Sequence, residues 1–300
     1  MSEMINEQSD ANEATREDSA VDWVDVEGGR IAYEVIGNGP LVVMSPGMVD
    51  IRSTYRFLAP LIADGGYRVA SVDLRGHGDS STGWKSYSHP DTAGDLIAVI
   101  RKLGGPAVIV GQSFSGGATT IAAGTNPDLV SAIVEIGPFT RPPEISMGAM
   151  LRNAHNYRRG ALLLGEFLLA GNIKSWTKYL DVAYPGLKPA DWDEYLAALR
   201  ANLAEPGRTE AGQSMMKSKA TLKDAAAQLS NVRCPSLVVM GGSDSDFPDP
   251  EAEAVAIVGL LPAGIGAYKV IENAGHYPHA QYPQQVADAV LPFLAERVRA

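Results

Sequence analysis

The stretch Val108-Ile109-Val110-Gly111-Gln112-Ser113-Phe114-Ser115-Gly116-Gly117-Ala118 restricts this chain more than any other. It begins as a continuous apolar run rich in β-branched residues, the pattern of a strand buried on both faces. It passes through small residues into Ala118-Thr119-Thr120-Ile121-Ala122-Ala123, which can continue as a helix. One serine stands at the apex, with a small residue two positions away on each side. A strand that turns this sharply into a helix forces its apical residue into strained backbone geometry. Bulky neighbours at Gly111 and Ser115 would clash there. The strain aims the Ser113 hydroxyl out of the sheet. The helix that starts behind it offers free backbone N–H groups and the positive end of its dipole.

Composition narrows the setting. A chain of 300 residues with 45% hydrophobic residues can bury a large core. Its net charge of −10 argues against nucleic acid or an anionic membrane surface as a partner. One cysteine, Cys234, allows no intrachain disulfide, so a reducing cytoplasm is the expected location. No apolar run reaches the length of a membrane span. The N-terminus is acidic and lacks the apolar core of a signal peptide. Residues 1–20 carry −5 of the net charge and almost no apolar side chains, which predicts a disordered acidic tail.

From Val21 strands and helices alternate. Val21–Glu27 and Ile31–Ile36 flank the hairpin signal Gly28-Gly29. Strands are then predicted at Leu41–Met44, Tyr67–Val72, Val108–Gln112 and Ser131–Ile136. Helices are expected over Thr54–Asp64 and Asp91–Leu103 between them. After Gly137-Pro138 the texture becomes helical: Glu144–Arg152, Leu162–Ala170, Asp191–Leu203 and Thr209–Leu229. The strand pattern returns at Ser236–Met240 and Gly266–Ile271, with helices at Glu251–Leu260 and Pro283–Val298. The expected fold class is α/β, a mostly parallel twisted sheet covered by helices on both faces, with an inserted helical cap. The expected division is a tail over 1–20, a core made of 21–138 and 231–300, and a cap over 139–230.

A serine hydroxyl is a poor nucleophile at neutral pH. It needs an adjacent base, and the base needs an orienting acid. In open α/β sheets the reactive groups gather beyond the carboxyl ends of the strands. Two later strands end suitably. Ser236–Met240 runs into Gly241-Gly242-Ser243-Asp244-Ser245-Asp246-Phe247-Pro248. Gly266–Ile271 runs into Glu272-Asn273-Ala274-Gly275-His276. The order is Ser113, then Asp244, then His276. Asp246 competes with Asp244 for the acid, and Glu135, at the end of the strand before the cap, is a third option.

These features together resemble the α/β-hydrolase superfamily over about residues 22–300. Gly111-Gln112-Ser113-Phe114-Ser115 is similar to its nucleophile elbow, with Ser115 where glycine is usual. Arg75-Gly76-His77-Gly78-Asp79-Ser80 is similar to the turn after its fourth strand. The spacing from Asp244 to Pro248 matches its acid loop, and Gly275-His276 its histidine loop. The resemblance implies Ser113 as nucleophile, Asp244 as acid and His276 as base. It also implies an oxyanion hole formed by the backbone N–H groups of Met48 and Phe114. Pro46 replaces the histidine common before the oxyanion-loop glycine, which changes no backbone donor. A serine at the elbow argues against epoxide or haloalkane hydrolysis, for which relatives carry aspartate.

The implied activity is a serine hydrolase acting on a small to medium apolar carboxylic ester or lactone through an acyl-enzyme. A carbon–carbon hydrolase of a diketone-type substrate is the alternative. A non-catalytic ligand-binding homologue is the reading from a different class. The partner is a small-molecule substrate, no metal or organic cofactor is implied, and the oligomeric state is left open. The other candidates receive plainer readings. His77 is expected to be structural and His279 a surface residue. His89 and His155 are loop or packing residues, with His155 in the cap. Cys234 is a buried thiol. Tyr157, Phe167, Trp176, Tyr179, Tyr184, Trp192 and Tyr195 are mainly cap packing, as are Met147, Met150, Met215 and Met216.

Overall fold

The computed structural model describes residues 20–142, 154–218 and 222–297. The expected acidic tail and the helix expected over Glu144–Arg152, with Met147 and Met150, lie outside the described residues, as does the His155 side chain. Eight strands form one sheet in the order β1-β2-β4-β3-β5-β6-β7-β8. They are β1 (Asp22–Val26), β2 (Gly29–Ile36), β3 (Leu41–Ser45), β4 (Arg68–Val72), β5 (Ala107–Gln112), β6 (Val130–Ile136), β7 (Ser236–Gly241) and β8 (Gly266–Ile271). β2 is antiparallel to β1 and β4, and every pairing from β4 through β8 is parallel. The reversal of strand order around β3 and β5 creates the crevice in which such sheets place their sites.

The apolar runs explain the layering. Every residue of β3, β5 and β7 is buried. Alternate side chains feed two apolar clusters, one on each face. Val43, Ile109, Ile133 and Val238 belong to one, and Val42, Val108, Val134 and Val239 to the other. The first is covered by α2 (His89–Leu103) and α3 (Phe114–Thr125), the second by α1 (Leu58–Asp64) and α11 (Pro283–Arg297). α2 begins in a capping box. Ser88 accepts from the Asp91 N–H while the Asp91 carboxylate accepts from the Ser88 N–H.

Between β6 and β7 lie α4 (Ala154–Ala170), α5 (Ile173–Ala183), α6 (Trp192–Leu203), α7 (Arg208–Lys217) and α8 (Leu222–Gln228). A third apolar cluster joins α4, α5 and α6 to Val49, Tyr277 and Ala280 above the sheet. α5 escaped the sequence reading, although Trp176, Tyr179, Leu180 and Ala183 recur at the i, i+3, i+4, i+7 spacing of one helix face. Asn172 starts it, its side chain accepting from the Lys174 N–H at 3.0 Å. The helix expected over Thr209–Leu229 is two helices. α7 packs Gly212 against Val49, while α8 brings Gln228 against Gly124 of α3 beneath the sheet's edge. One straight helix cannot serve both layers. The helix expected over Thr54–Asp64 is also divided. A 3-10 turn, Arg52–Tyr55, precedes α1. Pro60 has no N–H for an i−4 carbonyl, so it is tolerated only in a first turn, and the helix starts two residues before it.

Among the described residues the remaining α-helices are α9 (Pro250–Leu260) and α10 (Pro278–Gln281). No described helix is long and apolar enough to cross a membrane. His279 corrects one expectation. It is fully buried in α10 rather than on the surface. Its Nε2 meets Thr54 Oγ1 at 3.0 Å and its ring lies between those of Tyr55 and Tyr277. Burial drives its pKa down to about 3, so it is a neutral packing residue.

Candidate active site

β5 ends at Gln112 and α3 begins at Phe114, so Ser113 has no room for an ordinary turn. It takes φ 53°, ψ −116°, outside the regions that L-residues favour. Its neighbours hold it there. The Ser113 N–H donates to Ile136 O at 2.9 Å, and Ser113 O accepts from the N–H groups of Gly116 and Phe139 at 3.0 and 3.1 Å. Gly111 cannot carry a side chain because a Cβ would strike the Ser115 carbonyl and the Thr119 hydroxyl. Phe114 is the first residue of α3, so its N–H has no intrahelical acceptor.

Ser115, the departure from the usual glycine, has a specific task. Its hydroxyl donates to Pro46 O at 2.5 Å and lies 2.8 Å from Ser45 Oγ. It therefore ties the elbow to the loop that carries Met48. Gly47 lets that loop approach; a Cβ there would lie 3.0 Å from Ser113 Cβ. The loop is itself strained at Val49, a β-branched residue at φ 60°. His77 supports it. His77 Nε2 accepts the Val49 N–H at 3.0 Å while Nδ1–H donates to Arg75 O at 3.0 Å. Burial lowers the His77 pKa to about 4, which keeps the accepting nitrogen unprotonated. The next residue, Asp50, accepts from the Tyr195 hydroxyl of α6, which fixes the far end of the loop.

Asp244 and His276 come together from the ends of β7 and β8. His276 Nδ1–H donates to Asp244 Oδ2 at 2.8 Å, and both side chains are buried. Gly241 and Gly275 make the approach possible, because a Cβ on either would collide with a backbone carbonyl of the opposing loop or of α5. The His276 N–H donates to Ala183 O at the end of α5, at 2.9 Å. Gln281 adds a second tie. It accepts the Gly275 N–H at 2.7 Å and donates to Pro185 O and Leu187 O, at 3.0 and 2.8 Å. The imidazole is thus fixed from the helical segment as well as from the sheet.

Asp246, the competing acid, stands on the opposite side of the ring. Its Oδ2 is 3.6 Å from His276 Nε2 and accepts the Tyr179 hydroxyl at 2.6 Å. His276 Nε2 is buried and has no hydrogen-bond partner among the described residues. Burial would lower the His276 pKa, but the flanking Asp244 and Asp246 carboxylates outweigh it and push the pKa up to about 9. Asp244, Asp246 and His276 also form a described group whose donor atoms could meet a metal ion. The Nδ1 and Oδ2 atoms are already committed to each other in a hydrogen bond, so an ion between them would have to break it.

Glu135 does not join this group. Its carboxylate points to the α3 side and accepts from Thr120 Oγ1 at 2.5 Å. His89 stacks on Phe114, with ring centroids 4.0 Å apart. Cys234 is buried, and burial pushes its thiol up to about 12, far from a thiolate.

Gly137 is a site residue that the sequence reading used only as a boundary. At φ +51°, it presents a bare Cα to the pair. A Cβ would lie 3.1 Å from His276 Nδ1 and 3.2 Å from Asp244 Oδ2. Gly137→Ala is expected to lower kcat about 10- to 100-fold by displacing the imidazole, together with a stability loss of about 1 kcal/mol from the left-handed backbone. Gly83→Ala, at φ +81° with open space around it, is the control. It should share the drop in melting temperature and keep full activity. Equal activity losses in the two variants would remove Gly137 from the site.

Comparison with known proteins agrees with this fold. The chain is 27% identical to the sn-1-specific diacylglycerol lipase ABHD11 of Mus musculus over 265 residues, covering 85% of this chain and 81% of that one. It is 25% identical to the proline iminopeptidase PfmaB of Pestalotiopsis fici over 87% of its length and 94% of the relative's. A bifunctional epoxide hydrolase 2 of Rattus norvegicus is 27% identical over 132 residues, and there the chain spans only 24% of the relative. Among solved structures, a thermophilic esterase from Thermogutta terrifontis superimposes with a TM-score of 0.72 at 21% identity, covering 92% of this chain and 98% of the other. The model of the alpha/beta hydrolase family matches residues 42–289, and the chain belongs to that family.

Proposed function

We propose that the chain is a serine hydrolase that cleaves a small to medium carboxylic ester or lactone through an acyl-enzyme. The observation that carries this reading is a buried Asp244–His276 pair, 2.8 Å apart beyond the carboxyl ends of β7 and β8, in a chain whose β5 ends in a serine held at positive φ at the N-terminus of α3. In this reading His276 Nε2 takes the Ser113 proton and the oxygen attacks the ester carbonyl. The N–H groups of Met48 and Phe114 receive the oxyanion. His276 then protonates the departing alcohol and activates the water that releases the acid. Without substrate Ser113 and His276 are not joined by a hydrogen bond. Catalytic hydrogen bonds commonly tighten only when substrate is bound. The helices α4–α7 are proposed to cap the site and exclude water.

The epoxide hydrolase similarity covers 43% of this chain, and the apex of the β5–α3 turn is serine rather than the aspartate that epoxide hydrolases carry; an ester substrate suits a serine better. The test is a p-nitrophenyl ester series from acetate to octanoate, with a fluorophosphonate probe alongside. Turnover with labelling of Ser113 supports the reading, and the best chain length sizes the acyl site. Folded protein that shows neither would overturn it.

The pH dependence follows from the two carboxylates. Only neutral His276 can accept the serine proton, and its pKa lies at about 9. kcat/KM should therefore rise with pH and level off only above about pH 9. Asp246→Asn removes one of the charges that stabilise the imidazolium, so the midpoint should move to lower pH. A midpoint that stays in place in Asp246→Asn would show that this carboxylate does not act on His276.

A further inference from the structure

Asp246 has a position that triad chemistry alone does not require. His276 Nδ1 is already oriented by Asp244, and Asp246 faces the other nitrogen. In the proposed mechanism Nε2 is the atom that delivers a proton to the leaving group. A group departing from the serine-bound carbonyl must therefore pass beside Asp246 Oδ2, which is 3.6 Å from Nε2. The carboxylate is well held. Tyr179 donates to Oδ2 at 2.6 Å, and the Asp246 N–H donates to Asp244 Oδ1 at 2.9 Å. The Ser245 hydroxyl donates to Oδ1 at 3.4 Å, a long contact, and two hydroxyls still leave part of the carboxylate's lone-pair capacity unused. Its side chain is only 7% exposed, so water can satisfy little of the remainder.

The surroundings of His276 are aromatic. The rings of Tyr277, Phe139 and Phe247 lie 5.3, 6.0 and 6.4 Å from the His276 ring, and Phe139 stacks on Phe247 at 5.0 Å. Tyr179 is backed by Trp176 at 4.9 Å. A desolvated carboxylate is a costly neighbour for a neutral alkyl group, which gives it nothing in return. It is a favourable one for an ammonium group, which gains Coulomb attraction from the carboxylate and quadrupole attraction from the rings.

We propose that Asp246 selects a cationic leaving group: the substrate is an ester of an amino alcohol, whose ammonium group sits on Asp246 among Tyr179, Tyr277, Phe139 and Phe247. This rests on the serine-hydrolase reading above and sharpens its substrate class; the apolar preference then belongs to the acyl part. The step balances simply. The acyl carbon–oxygen bond of the ester breaks as the Ser113 Oγ–acyl bond forms. The serine proton passes through His276 Nε2 to the alkoxide, and the amino alcohol leaves. Water then releases the carboxylic acid. A short spacer between the oxygen and the nitrogen fits best, because the proton donor and the carboxylate are neighbours.

The test compares acetylcholine with 3,3-dimethylbutyl acetate, which has the same skeleton with carbon in place of the charged nitrogen. Both esters see the same His276, so its protonation state cancels in the ratio of kcat/KM values. Wild type is expected to prefer acetylcholine by about tenfold or more, and Asp246→Asn to bring the ratio close to one. Choline should also inhibit p-nitrophenyl acetate hydrolysis competitively in wild type, and more weakly in the variant. Equal kcat/KM values for the two esters in wild type would overturn the inference. So would a preference that survives in Asp246→Asn. The wild-type comparison decides even if the variant does not fold. p-Nitrophenyl acetate turnover without cation preference would remove this inference and leave the hydrolase reading standing. Failure of p-nitrophenyl acetate turnover and of Ser113 labelling would remove both.

Discussion

Ser113→Ala is expected to lower kcat for a p-nitrophenyl ester by about 10^4-fold or more and to abolish labelling by the fluorophosphonate probe. The magnitude comes from the way a nucleophile, base and acid act as one unit; removing the nucleophile loses nearly all that the unit contributes. The substitution should not unfold the chain. Ser113 is held by its backbone, through Ile136, Gly116 and Phe139. Alanine also suffers the strain of φ 53°, so a modest stability change is expected with the catalytic loss. Far-UV circular dichroism and the melting temperature separate the two effects. A folded variant with undiminished turnover would place the nucleophile elsewhere, and the whole reading of the elbow would fall with it.

Glu135→Gln is expected to produce the largest pH-dependent change in stability. Glu135 is fully buried between the sheet and α3, with Oε1 on Thr120 and Oε2 without a partner. Burial raises its pKa from 4.5 to about 7, and the Thr120 hydroxyl only partly opposes this. The sign follows from which state keeps the proton. Above pH 4.5 the unfolded chain releases it while the folded chain holds it up to about pH 7. Stability is therefore lost as pH rises across that window, by roughly 3 kcal/mol in total. Glutamine has nearly the same shape and does not titrate. The stability difference between Glu135→Gln and wild type should grow by roughly 3 kcal/mol in favour of the variant between pH 4.5 and pH 8, and stay level beyond. Urea unfolding at several pH values measures it. Using the difference removes any fixed cost of burying the amide. Parallel curves across the window would show that Glu135 titrates normally in the folded chain.

The two residues also show how legibility varied along the chain. The β5 run and the elbow were readable because buried parallel strands and strained turns both demand narrow residue classes in consecutive positions. Asp244 and His276 were readable as a pair because each follows the carboxyl end of a strand, β7 buried and β8 at the sheet's edge. The role of Asp246 was not. Two residues beyond Asp244, it reads as a rival for the same task. Only the turn of the acid loop, with the Asp246 N–H folded back onto Asp244, sends its carboxylate to the other nitrogen of the ring. His279 failed for a similar reason. A histidine three residues past His276 looks exposed, yet its ring packs between those of Tyr55 and Tyr277.

The glycines divide in the same way. Gly111 is readable as part of a local string. Gly137, Gly241 and Gly275 are explained only by what approaches them from distant parts of the chain. The sequence by itself determined the strands, their mostly parallel arrangement, the family and the identity of the elbow, since these depend on periodicity and on neighbours a few residues apart. The tertiary structure alone decided which carboxylate meets which imidazole nitrogen, how Ser115 ties the elbow to the Met48 loop, and how α5 and Gln281 hold the histidine loop. Those contacts join residues up to 96 positions apart, as when Gln281 donates to Pro185 O. Such pairings leave no local pattern, because the distance between the partners is set by packing and not by the chain between them.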